Sequence, residues 1–429
     1  MKINRRFALA GMAATSLASS LPDFRSITIY EARKIVTMSS SFPSAKFMAV
    51  SGGIILGLAN NKEDLAVWAQ GRDVKHNRMY ADKVLFPGLI DPHIHPMQAS
   101  VMLGLPFLAP DDWTLSSRSW PGVKDQGSYR DRLKKIVAES VDIPTIVWGH
   151  HDLFHGPLDR TILDSIVPDR PLLVWQRSFH DIYANSAALS WMGFSDEANF
   201  SSSVISSGAK TTHANYARGV FSETALPLAL DRLQNVLLDP VRLQAGFGGL
   251  LQLMQRRGVT TTSDLATGIF AGFDQEAALI TSAFNSPQSS ARVNLMPIAT
   301  EIDSEHNLDE WISTRKSNFF SDNVLLGKRV KLFADGAFFA QNMRLAPPGY
   351  SDGHLGKWLT EPDVLKSQME RYWNSGFALH IHVNGDEGTE VVLENLESLD
   401  PKYGQDIVLE HLGYCNESQI RRISKMGLM

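Results

Sequence analysis

The chain has 429 residues, 44% of them apolar, and a net charge of −5. That length can bury one large core with an appendage, and the acidic balance, with no long basic run, argues against a nucleic-acid or anionic-membrane partner. No apolar stretch approaches the ~20 residues that span a bilayer, and a single cysteine, Cys415, excludes an intrachain disulfide.

The N-terminus carries Lys2, Arg5 and Arg6, then a weakly apolar Ala/Leu/Gly/Ser segment, with Asp23 as its first acid. This order predicts a secretory signal over residues 1–24, and Arg5-Arg6-Phe7 suggests the twin-arginine type. The protein is then exported or periplasmic; the alternative is a short amphipathic helix on a cytoplasmic protein. Residues 25–84 read as short β-branched strands punctuated by Gly52-Gly53 and Gly57, part of a small β-sandwich.

The stretch 86–96, FPGLIDPHIHP, opens the main domain, expected over 85–429. Side chains alternate along a strand, so His93 and His95 share a face and can chelate one metal ion. Alone, a His-x-His pair is a weak signal.

An insertion follows over 97–257, with strand-like TIVWGHH and PLLVWQRSFH and helix-like stretches at 129–140 and from Val241. Its frequent Trp and Phe suit a module that covers a site or receives an apolar substrate, although such residues are also ordinary core. From Arg257 a rhythm appears: strand-like segments at 258–266, 292–299, 329–337, 377–383 and 406–412, separated by helix-length stretches. Alternation of this kind implies βαβ units and a parallel sheet. With the His-x-His strand it gives six of the eight strands of a TIM-like (β/α)8 barrel, whose chemistry lies at the C-terminal strand ends.

His382 and His411 stand near two such ends, and His380 shares the face of His382 as a ligand, a supporting partner or barrel filling. Histidines at three strand ends shift the balance towards a metal centre. Lys331 lies inside the apolar strand RVKLFADG, where an ammonium is costly unless paired. It is either salt-bridged to a neighbouring acid or a lysine with a lowered pKa, able to take up CO2 as a carbamate.

The segments PGLIDPHIHP, GVTTTSDLA, VKLFADG, HVNGD and LEH, in this order, resemble the metal-dependent amidohydrolase superfamily. More narrowly they resemble its branch of N-substituted formamide deformylase-like proteins. DSIVPDRPLLVWQRSFHDIYANSAAL and RGVFSETA extend the likeness into the insertion, so that it covers about residues 27–429. The resemblance implies one or two divalent metals, zinc foremost, with His93 and His95 on one, Lys331 bridging as its carbamate, and His382 and His411 on the other. His180, Asn185 and Glu223 would line the side that receives a small-molecule substrate. Asp264 and Asp335 would pin strand ends, and Asp386 would cap the next helix. The implied reaction is hydrolysis of a non-peptide C–N bond, of amide or N-formyl type, by a metal-activated water.

The family's general-base Asp and the closing sandwich strands are expected beyond Met429. On that count the chain reads as a truncated member, for which inactivity is the expectation. Two further readings stay open: a non-catalytic fragment or binding protein, and an esterase or phosphoesterase of the same superfamily.

Overall fold

A computed structural model describes residues 25–115, 118–399 and 406–428; the leader expected over 1–24 lies outside them. The chain divides into two units, at Met1–Gly88 and Leu89–Met429. In the first, four strands (Ser26–Val36, Ser44–Ser51, Ile54–Ala59 and Asp73–Leu85) form one sheet. Gly52 and Gly53, both at positive φ, make the hairpin turn between the second and third. Ile27, Ile29, Ala49, Ala59 and Leu65 form its buried cluster.

The second unit carries the expected parallel strands: Leu89–Ile94, Val259–Thr267, Arg292–Pro297, Arg329–Phe333, Ala378–Val383 and Ile407–His411. The apolar side chains of the middle strands are almost fully buried, as Val293, Leu295, Val330, Leu332, Leu379 and Ile381 illustrate, whereas Leu89 and Ile90 of the first strand are exposed. Their order is consistent with the incomplete (β/α)8 barrel expected from the sequence, and among the described residues they do not close. The strands fall into two sheets, the first three joined by the short strand Val324–Leu326 and the last three forming their own.

The break has a local cause. Val324–Leu326 occupies the edge of Arg292–Pro297 at Val293, Asn294 and Leu295. Arg329–Phe333 therefore meets that neighbour only further along, through the single bridge Ile298–Lys331. No backbone ladder joins Leu89–Ile94 to Ile407–His411 among the described residues, although their side chains meet.

The insertion builds a five-stranded mixed sheet from Thr145–His150, Leu172–Gln176, Asp181–Ala184, Ala214–Asn215 and Val220–Ser222. It begins in the helix Pro96–Leu103 and returns through Pro240–Arg257, which packs against that helix. Gly246, inside the second of these helices, has a packing reason: a Cβ there would stand 2.0 Å from the carbonyl oxygen of Ser100. The helices cross too closely for any side chain.

Candidate functional site

The C-terminal ends of the parallel strands open into a cavity of about 860 Å³ lined by His95, Lys331, His382 and His411, with His180 and Glu223 on the insertion side. His93 stands beneath, its ring 5.2 Å from that of His95 and 4.8 Å from that of His411; His382 and His411 lie 4.6 Å apart. Seven of the eight residues singled out above therefore meet around one space. Asn185 does not. It is fully buried, caps the helix Ser186–Trp191, accepts from the N–H groups of Ala188 and Leu172, and donates to the carbonyls of Val167 and Arg170. With every capacity of its amide taken by backbone, it is a scaffold residue.

Four of the imidazoles here, on His93, His380, His180 and His382, are held by hydrogen bonds to a side chain. Nδ1 of His93 lies 2.6 Å from one carboxylate oxygen of Glu410, and Nδ1 of His380 lies 2.8 Å from the other. His180 Nδ1 stands 2.6 Å from Glu223, whose second oxygen accepts from Asn342 at 2.8 Å. Nε2 of His382 meets the Asn384 side-chain amide at 2.9 Å. His95 sits just past its strand as the residue before the helix Pro96–Leu103, its Nδ1 3.8 Å from Asp264 and without a hydrogen-bond partner.

Glu410 was not singled out in the sequence. Strict alternation would turn it away from His411, yet both reach the centre. His411 adopts φ +80° and Leu412 φ +45°, so the alternation breaks at the strand end. Glu223 at φ +43° and Phe179 at φ +67° are also left-handed non-glycine residues at this cavity. Such conformations are costly for residues with a Cβ, and they gather at functional sites. The cue in the sequence was the acid immediately before His411.

Burial dominates the electrostatics. It holds His95 and His382 far below the ordinary imidazole value, and His411 at about 3, with neighbouring cationic groups acting in the same sense. Burial thus favours the neutral form of these rings, and Nε2 of His382 accepts from the Asn384 amide. Burial lowers Lys331 to about 8, opposed by Glu410, and its Nζ has no hydrogen-bond partner. Burial would raise Glu410, but its bonds to His380 and His93 hold it well below the usual carboxylate range. On His180 burial opposes a charge, and the adjacent Glu223 overrides it and raises the ring's pKa.

The donor set fits a divalent metal in kind. It offers neutral imidazoles, an unpartnered Nδ1 on His95 and an unpartnered Nζ on Lys331, with carboxylates behind the rings to orient them. Among the described residues no three His, Cys, Asp or Glu side chains close on one point as bound ligands do.

Three acids near the strand ends serve the backbone. Asp264 accepts from Ala266 N–H and the Thr267 hydroxyl, and Asp335 from the N–H groups of Asn384, Gly385 and Arg344. Asp386 is inside the first turn of its helix, with Gly385 at the cap position, and its carboxylate accepts from the N–H groups of Ala346 and Glu387.

The sequence profile of the amidohydrolase family matches residues 81–429. Protein LONG AFTER FAR-RED 3 of Arabidopsis thaliana is 26% identical over 92% of this chain and 66% of its own length. The putative amidohydrolase YtcJ of Bacillus subtilis is 22% identical over 80% of this chain and 61% of its own length. The chain thus spans just under two thirds of these relatives. An uncharacterized metal-dependent hydrolase from Pyrococcus horikoshii shares the fold, with a TM-score of 0.61 at 17% identity, covering 94% of this chain and 73% of that one.

Proposed function

The chain belongs to the amidohydrolase family, and from that premise we propose that it serves metal-dependent hydrolysis of a non-peptide C–N bond, of amide or N-formyl type. The observation that carries the reading is Lys331, a buried lysine with no partner for its Nζ, set among neutral imidazoles at the floor of an open cavity. A structural lysine would carry a salt bridge there; one awaiting modification and metal does not need one.

His93, His95, His382 and His411 would hold one or two divalent ions, zinc being the metal best matched to imidazole and oxygen donors. Lys331 lies close enough to its neutral form to add to CO2: the amine nitrogen bonds to carbon, a proton leaves, and the carbamate oxygens gain the negative charge a metal bridge needs. When bound, the metals supply an activated water and polarise the carbonyl.

The chain's own side chains do the rest. Glu410 fixes the His93 and His380 rings by their Nδ1 atoms and leaves the other nitrogen of each free. His180, held by Glu223, presents its remaining nitrogen to the cavity, where it can meet a polar atom of the substrate. Trp175, Phe179, Phe270, Phe333, Phe338 and Phe339 line the same space and keep water from an apolar substituent. This apolar lining, with the sequence likeness, favours an N-substituted amide of the formamide deformylase-like type.

The test pairs metal analysis with a panel of N-formyl, amide, ester and phosphotriester substrates on the wild type, His93→Ala and Lys331→Ala. Wild type should retain one or two divalent ions and prefer the C–N substrates, and both variants should lose metal and at least about 100-fold in activity. Retention of both properties by the variants would sink the proposal.

A further inference from the structure

A second cavity, of about 490 Å³, shares no lining residue with the first. The insertion gives it Lys210 and His213, and the loop after the Lys331 strand gives it Asn342, Lys357, Trp358 and Glu361. Its polar groups are unevenly satisfied. Lys210 donates to the Trp358 carbonyl and pairs with Glu361, both at 2.7 Å. Lys357 has no side-chain hydrogen bond or ion pair among the described residues.

The position of Lys357 is nonetheless built. Its N–H donates to Asn342, its carbonyl accepts from Gly336, and the next residue, Trp358, bridges to Asp335. Gly356, just before it, has φ +79°, and a Cβ there would lie 2.0 Å from the Met343 carbonyl oxygen. A lysine on backbone this tightly held is presented, not merely solvated. Its charge reaches His213, Glu223 and Asp181 without touching a carboxylate.

His213 completes the donor set. Its Nδ1 accepts from the Thr224 N–H at 3.4 Å and stands 2.8 Å from the Thr224 hydroxyl. Burial holds the ring neutral, at about 4, so its proton belongs on Nε2 as a donor. An unpaired ammonium, a second ammonium shared with one rim carboxylate, and an imidazole N–H around a single cavity suit an anionic head group.

We propose that this second cavity is a binding site for a small carboxylate- or phosphate-bearing molecule, held chiefly by Lys357 with Lys210 and His213. The site is wired to the first cavity. Asn342, which lines it, donates to Glu223, and Glu223 holds His180. An anion drawn to Lys357 and Asn342 therefore acts two hydrogen bonds from the large cavity. The inference stands apart from the hydrolytic reading and survives if that reading fails.

Isothermal titration of the full chain with inorganic phosphate and with succinate tests it and separates the two head groups. At matched metal content, wild type should bind at least one saturably, Lys357→Met should bind it at least about tenfold more weakly, and Lys357→Arg should stay close to wild type. Absence of saturable binding of both anions, or equal binding by wild type and Lys357→Met, overturns the proposal. If Lys357→Met does not fold, acetylation of wild type read by peptide mass spectrometry decides instead: the bound anion must slow modification of Lys357, and no slowing overturns it.

Discussion

The strand ends that floor the large cavity and the insertion that walls it differ in where their unpaired polar groups face. In the insertion, Asn185 gives every capacity of its amide to backbone, and both ring nitrogens of His155 meet backbone, at His151 N–H and the Val123 carbonyl. At the floor, Nζ of Lys331 and Nδ1 of His95 are buried with no partner. The insertion has unpartnered buried atoms too, on Trp113, Tyr129, Trp148, His150, His151 and Asp181, but none of these residues lines the large cavity. Unpaired buried polar groups cost stability, and among the described residues His95 and Lys331 are the two carrying them that face the large cavity.

The comparison breaks most readily at Glu410. Glu410→Ala releases the rings of His93 and His380, and should lower metal affinity by about 10–100-fold while leaving the fold intact. Metal content after dialysis against a weak chelator measures it; unchanged retention would show that the carboxylate does not organise the floor. Asn185→Ala is the converse. It strands buried N–H and C=O groups and should cost about 2–4 kcal/mol in urea unfolding, with metal content per folded molecule unaltered.

A titration sharpens the contrast within the wall. Burial holds His155 neutral, lowering its pKa from 6.5 to about 4. Between these values the unfolded chain takes up a proton that the folded one refuses, so this histidine's share of stability is lost as pH falls from 6.5 towards 4 and is flat above 6.5. His155→Gln should reduce the steepness of that decline in melting temperature; an unchanged slope would place the acid sensitivity elsewhere. The smallest effect belongs to the half-exposed aromatic rim. Phe339→Ala should raise KM for a bulky apolar amide by a factor of about 3–10 and leave that of N-methylformamide unchanged.

Much of this was legible in order along the chain. The six parallel strands announce themselves because buried parallel strands are short runs of apolar, β-branched residues bounded by turns, and the histidines fall at their ends. Lys331 stood out for the same reason, as a charge where the pattern demands none. Glu410 stayed hidden because periodicity assumes a regular backbone, and the left-handed turn at His411 is a tertiary accommodation. Asn185 and His180, in one short motif, were alike on paper; only packing made one a helix cap and the other part of a cavity wall.

The sequence by itself determined which segments become strands, which side chains they bury and which donor atoms collect at their ends, since those follow from local periodicity and the expense of burying charge. Tertiary structure decided the split of the parallel strands into two sheets, the pairing of Glu410 with two histidines from other strands, and the gathering of Lys210, His213 and Lys357 around a second cavity. Those outcomes depend on which edges and side chains far apart in the chain reach one another first in space. No local pattern encodes that competition.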